Sequence, residues 1–248
     1  MKTVAVLIDF DNAFQRPMNL YTNADFQATI AFAVNTAKVA VPDVERFLFR
    51  LYGGWYEHTS LTARASAVSA MLPELNRMFP FIDQPSRLIH GSVELATQLY
   101  GHSFVWYNSY REHYGLHSLR VNTAAMSEKC EANSHTCPVK ILKKFTEKKS
   151  RICHNNGCDT VHSNVFFERT QKYVDTLITC DIITLSSEDE VVGIYVMSED
   201  VDLFPAFAVA HDLNATEAKL GIILRSDSQL ANYTALLSPF EIAVTYIH

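Results

Sequence analysis

Two short apolar runs constrain the fold of this chain more than any other feature. Thr3 to Ile8 and Val191 to Met197 are rich in β-branched residues and nearly continuous in apolar character, the pattern of strands covered on both faces. Such strands belong inside a parallel sheet with helices above and below it. The intervening segments fit that frame. Ala24 to Ala40 is rich in helix formers and stops before Pro42, and a second helical stretch, roughly Leu61 to Met78, stops before Pro80. Val44 to Tyr52 returns to a strand pattern. Further on, Phe166, Phe167, Tyr173, Val174, Leu177, Ile178, Ile182 and Leu185 predict one helix with a wide buried stripe. A helix near Leu203 to Leu213, a strand at Leu220 to Leu224, a helix near Ser228 to Leu236 and a strand at Ile242 to Tyr246 complete the alternation. Leu116 to Asn122 is a further candidate strand, whereas Leu88 to Leu99 and Phe104 to Tyr107 show no decisive period.

A chain of 248 residues, 48% hydrophobic, can bury one substantial core, so one domain carrying an insertion is expected. The apolar run Val4 to Ile8 is broken by Asp9 and Asp11, far too short for a signal-peptide core or a membrane span. The expected location is therefore cytoplasmic, with no membrane partner. A homo-oligomer is compatible with everything in the sequence. The formal charge of −6 argues against a surface coated with positive charge but does not decide what a local site binds. No Gly-x-Gly-x-x-Gly or Gly-Lys-Ser phosphate loop is present, and none of the ten histidines stands in a catalytic arrangement.

In open parallel sheets the functional crevice lies beyond the carboxyl ends of the strands. The first strand delivers Asp9 and Asp11 there, and the strand Val191 to Met197 delivers Ser198, Asp200 and Asp202. Asp175, at the edge of a helical stripe, can reach the same place. Carboxylates gathered together repel unless a cation is bound, so the cluster implies Mg²⁺ or Mn²⁺. Such an ion polarises a phosphoryl oxygen and activates a bound water, which is hydrolysis without a covalent intermediate. For any one of these aspartates, a helix cap or a turn is the competing role.

The residues resemble a known family. Val4-Ala-Val-Leu-Ile-Asp-Phe-Asp-Asn12 is similar to the opening strand of NYN domains. Lys172-Tyr-Val-Asp175, with Asp181 six residues on, resembles their central helix, and Ser198-Glu-Asp-Val-Asp-Leu-Phe-Pro205 resembles their Ser-x-Asp-x-Asp loop. Tyr173 and Glu199 stand where the family commonly has a small residue and a glycine. The resemblance implies a PIN-like Rossmannoid three-layer fold over 1–248 and a metal-dependent endoribonuclease acting on RNA. Carried over by position, Asp9, Asp175 and Asp200 would bind the metal and Asp202 would assist. Asn12 and Ser198 would be supporting polar groups, and Asp181 would hold a neighbouring element. Two other readings stay open: a non-catalytic RNA-binding or adaptor protein, and a phosphatase acting on a small substrate.

Between 126 and 164 the composition shifts to Cys, Lys, Asn and His, the expected insertion. Cys137, Cys153, Cys158 and His162 have the ligand types and number of a structural zinc site, with Cys130, His135 and His154 as substitutes; the alternative is reduced cysteines in a polar loop. Lys140, Lys144, Lys148 and Arg151 recur at helical spacing and would give a basic face able to grip phosphates. Phe104, Trp106, Tyr107, Tyr110 and Tyr114 are candidate stacking residues for unpaired bases, with core packing the expectation for Phe104 and Trp106.

Overall fold

The computed structural model describes residues 1–84, 87–107, 109–114, 136–148, 150–153, 157–213 and 217–247. The chain divides into two compact units, 1–109 with 171–248, and 110–170. In the larger unit the order is β1 (Thr3–Asp9), α1 (Phe10–Ala13), α2 (Asn23–Ala40), β2 (Arg46–Tyr52), the small hairpin β3 (Tyr56–Glu57) and β4 (Ser60–Leu61), α3 (Ala63–Asn76), β5 (Phe81–Gln84) and β6 (Arg87–Leu95). The smaller unit contributes β7 (Tyr110–Tyr114), α4 (Pro138–Thr146), α5 (His162–Val165) and most of β8 (Phe167–Gln171). The larger unit then resumes with α6 (Val174–Ser186), β9 (Val191–Met197), α7 (Phe204–Leu213), β10 (Lys219–Leu224), α8 (Leu230–Leu237) and β11 (Ala243–Tyr246).

The central sheet has seven strands in the order β11-β10-β9-β1-β2-β6-β5. Its pairings are parallel except β5 with β6. Helices cover both faces, which makes this a three-layer Rossmann-like α/β fold. Alternation along β1 sets the layers: Val4, Val6 and Ile8 pack with Phe26, Ile30 and Ala33 of α2 and Val68 and Leu75 of α3. Ala5 and Leu7 face the other side, with Ile178 and Ile182 of α6, Phe207 of α7 and Leu237 of α8. All seven residues of β1 are buried, as a central parallel strand requires.

Strand order reverses at β1: the chain builds outward through β2 and β6, then returns to β9 on the other side of β1 and builds outward again. Ile8 and Met197 are register partners, so Asp9 and Ser198 emerge side by side at this switch point. That is where an open α/β sheet leaves a crevice.

One expectation changes. Phe166 and Phe167 do not begin a helix, because 167–171 forms β8 and pairs with β7; the helical stripe starts only at Val174. The expected insertion, 126–164, falls within the smaller compact unit, 110–170. The ambiguous stretch Leu88 to Leu99 is mostly β6, which buries only Ile89 and Val93, with His90, Gly91 and Ser92 between them. Gly91 also breaks its apolar pattern, and for a packing reason: a Cβ there would lie 2.5 Å from the Phe79 ring. The candidate strand Leu116 to Asn122 lies outside the described residues. Among the described residues no helix is long and apolar enough to cross a membrane.

Candidate active site

Asp9 ends β1 and caps α1, and it is only 3% exposed. Three donors hold its carboxylate: the Asn12 amide and Ser198 Oγ both reach Oδ2, the latter at 3.0 Å, and the Asn12 backbone N–H reaches Oδ1 at 3.4 Å. Burial nevertheless raises the Asp9 carboxyl above its ordinary range, outweighing those hydrogen bonds, with the Asp11 charge adding to the rise. Ser198 is buried at the end of β9 and also accepts the Asp200 backbone N–H at 3.1 Å. Asp200 in turn caps the short 3-10 turn Val201–Leu203, accepting the Asp202 N–H at 2.9 Å. The strand ends and the acidic loop are thus one hydrogen-bonded unit.

Asp175 comes from the first turn of α6 and is solvent-accessible. Its carboxyl is also raised, first by partial desolvation and then by the charges of Asp200, Asp9 and Asp202. Those couplings put Asp175 within electrostatic reach of Asp9, Asp200 and Asp202. None of them has a Lys, Arg or His ion partner among the described residues, whereas the neighbouring Asp11 is ion-paired with Arg64. The arrangement is electrostatically deficient in cations, which suits a divalent ion with oxygen ligands. In the side-chain positions present, no three His, Cys, Asp or Glu residues close around one point among the described residues.

The raised carboxyls have a consequence for stability. The folded protein holds protons on Asp9 and Asp175 more tightly than the unfolded chain does. Stability therefore falls as pH rises from about 3.9 through the folded-state pKa values, and the deficit persists at neutral pH. Asp175→Asn is expected to raise the metal-free melting temperature at pH 7 and to lose that advantage below about pH 4, where both states carry the proton. An Asn variant that melts lower than wild type at pH 7 would show that the Asp175 charge is compensated.

Glu199 is not gathered with the acids: its carboxylate accepts the Arg225 backbone N–H at 3.1 Å and its carbonyl accepts the Tyr233 hydroxyl at 2.7 Å. Asp181 lies fully buried beneath the crevice, where it ties Tyr52, Tyr100 and Arg50 together. Arg64 and Arg225 escaped the sequence reading. They lie 53 residues from Asp11 and 26 from Glu199, and no local pattern links such partners.

The remaining candidates belong to the smaller unit. Lys140 and Lys144 are on α4, but the helix ends at Thr146, so Lys148 and Arg151 do not continue its face; Arg151 pairs with Glu147 at 3.3 Å. Cys137 is buried at the N-cap of α4. Cys153 and Cys158 lie between Ile152 and Val161, which form an antiparallel bridge, and the Cys158 thiol is lowered first by Thr160, 3.2 Å away, and then by Cys153. His162 is fully buried, with rings of Phe145 at 5.7 Å and Phe166 at 5.4 Å, and neither ring nitrogen has a hydrogen-bond partner among the described residues. The structure brings Cys153 and Cys158 together but does not gather the four sequence-derived ligands around one point. Cys130, His135 and His154 lie outside the described residues.

No family model, curated protein or solved structure matches this chain.

Proposed function

We propose that this protein is a divalent-metal-dependent endoribonuclease of the NYN, PIN-like kind. The observation that carries the reading is the sheet's switch point, where Asp9 and Ser198 emerge side by side and where desolvation, then the charges of Asp200, Asp9 and Asp202, raise the Asp175 carboxyl, with no Lys, Arg or His ion partner for these four acids among the described residues. The three segments that resemble NYN motifs supply these acids from β1, α6 and the loop after β9. Asp9, Asp175 and Asp200 would hold Mg²⁺ or Mn²⁺, with Asp202 assisting; bound there, the ion would supply a polarised phosphoryl oxygen and an activated water. Asn12 and Ser198 fix the Asp9 carboxylate, and Ser198 couples it to Asp200. The setting is proposed to be cytoplasmic, in keeping with the absence of disulfides among the described cysteines.

The test is cleavage of single-stranded and structured RNAs in Mn²⁺, Mg²⁺ or EDTA, by wild type and by the Asp9→Asn/Asp200→Asn double variant. Cleavage by wild type alone, abolished by EDTA, is expected. RNA binding without cleavage would select the binding-module reading, which is favoured by the lack of a closed three-donor group among the described residues. Metal-dependent hydrolysis of nucleotides but not RNA would select a phosphatase.

Zinc in the smaller unit is a separate proposal. The Ile152–Val161 bridge brings the chain positions of Cys153 and His162 near one another, Cys158 interacts with Cys153, and a buried imidazole whose two nitrogens have no hydrogen-bond partner among the described residues costs about 1–3 kcal/mol unless a ligand relieves it. His162→Phe discriminates the two cases. It should lower the melting temperature and the zinc content of the purified protein if zinc is bound, whereas a zinc-free protein should be stabilised by losing the orphaned polar ring.

A further inference from the structure

We propose that an aromatic ledge beside the acidic crevice, formed by Phe104 and Tyr173 on a Trp106 footing, stacks unpaired bases of the strand to be cut. This rests on and deepens the nuclease reading, specifying that the strand it takes is unpaired. Phe104 is 67% exposed, contrary to the expectation that it packs in the core, while Trp106 is half-buried against the α6 side of the sheet. The rings run in series: Phe104 to Trp106 at 5.2 Å and 77°, then Trp106 to Tyr173 at 5.7 Å and 50°. Tyr107 of the same loop meets Tyr56 of β3 at 5.0 Å and is 48% exposed. Exposed rings of this kind offer faces on which unpaired bases can stack.

The ledge is tied to the crevice by the backbone. Tyr173 is the N-cap of α6 and stands two residues before Asp175. Its φ is +70°, in the left-handed region that strains an aromatic residue and that glycine or asparagine adopts more readily. The Lys172 N–H donates to the Ser109 carbonyl at 2.8 Å, and Ser109 Oγ accepts the Tyr56 N–H at 3.0 Å, which fixes this turn against the aromatic loop. Lys172 is itself exposed and supplies a positive charge beside the rings. Rings, a cation and a row of phosphodiester-directed acids match the faces, backbone and scissile link of a single strand. Bases paired within a duplex cannot offer their faces to the rings.

The test is fluorescence anisotropy in EDTA, where no cleavage occurs, with an end-labelled ten-nucleotide RNA, its duplex and the matching DNA strand. The proteins compared are wild type, Phe104→Ala and Tyr173→Gly. Glycine is at ease at φ +70°, so Tyr173→Gly should fold with an unchanged or higher melting temperature. Each variant should bind the single strand about 10-fold more weakly, the loss of one stacked base, and wild type should prefer single strand to duplex. Equal binding of single-stranded DNA supports the ledge as well, since stacking does not read the sugar. Equal affinity for duplex, or folded variants that bind like wild type, would overturn it. Single-strand binding without cleavage under Mn²⁺ would sink the nuclease reading and leave the ledge standing. Cleavage with no effect of either variant would do the reverse.

Discussion

Asp200→Asn is expected to cut RNA cleavage by about 10³-fold, because a metal centre contributes several kcal/mol to the transition state and about 4 kcal/mol corresponds to that factor. The fold should be untouched. Asp200 makes two backbone contacts, its Oδ1 accepting the Asp202 N–H at 2.9 Å and its own N–H donating to Ser198 at 3.1 Å. Asparagine preserves both, since it caps as well as aspartate does. What asparagine removes is the negative charge that, with Asp9 and Asp202, raises the Asp175 carboxyl. Melting curves with and without Mn²⁺ separate the effects: wild type should be stabilised by the ion and the variant much less. A well-folded Asp200→Asn protein with undiminished cleavage would remove Asp200 from the site.

Asp181→Ala should do the opposite and damage the fold. Asp181 is fully buried on α6, its Oδ2 accepting the Tyr52 hydroxyl at 2.5 Å and its Oδ1 the Tyr100 backbone N–H at 2.8 Å. Arg50 Nε lies 3.2 Å from Oδ2, close enough for an ion pair but off the hydrogen-bond direction. Burial raises the Asp181 carboxyl despite Arg50, and it lifts the Tyr52 hydroxyl well above its usual range. Removing Asp181 leaves the Arg50 guanidinium, 3% exposed, with Glu94 at 3.1 Å as its remaining carboxylate. Breaking a buried pair costs about 3–5 kcal/mol. Glu94 holds the figure near the lower end, and about 3 kcal/mol lowers the melting temperature by roughly 6–12 °C in a domain of this size. Replacing both partners, as Arg50→Met/Asp181→Leu, should recover much of the loss. A single Asp181→Ala variant that melts within about 2 °C of wild type would mean that solvent reaches Arg50 after all.

The two variants also separate what each acid does. Tyr52 is the register partner of Asp9, so the Asp181 network anchors the strand beside the site from below. Asp200 faces the crevice from above. On the proposed reading Asp200 would carry activity and Asp181 stability, although both are aspartates at or after an apolar run.

The alternation of strands and helices was legible in the sequence because burial on both faces leaves runs such as Val4 to Ile8 and Val191 to Val196 with almost no polar interruption. Asp9, Asp200 and Asp202 were legible for the same reason, since an acid at the end of such a run marks the strand's carboxyl end. Edge elements were not. β6 carries polar residues and Gly91 in its middle, and its strand identity depends on Phe79 and on pairing with β2. The ribbon of β7 and β8 likewise depends on a partner more than fifty residues away, which no local period encodes.

The sequence by itself determined the layered α/β architecture and the acids at its switch point, because both follow from local apolar periodicity. Only the tertiary structure decided that Asn12 and Ser198 clamp Asp9, that Arg64 neutralises Asp11, and that Asp181 is a buried anchor. It also decided that Phe104 stands in solvent beside Tyr173. Each of these depends on which distant side chains share a small volume, and that is set by packing rather than by spacing along the chain.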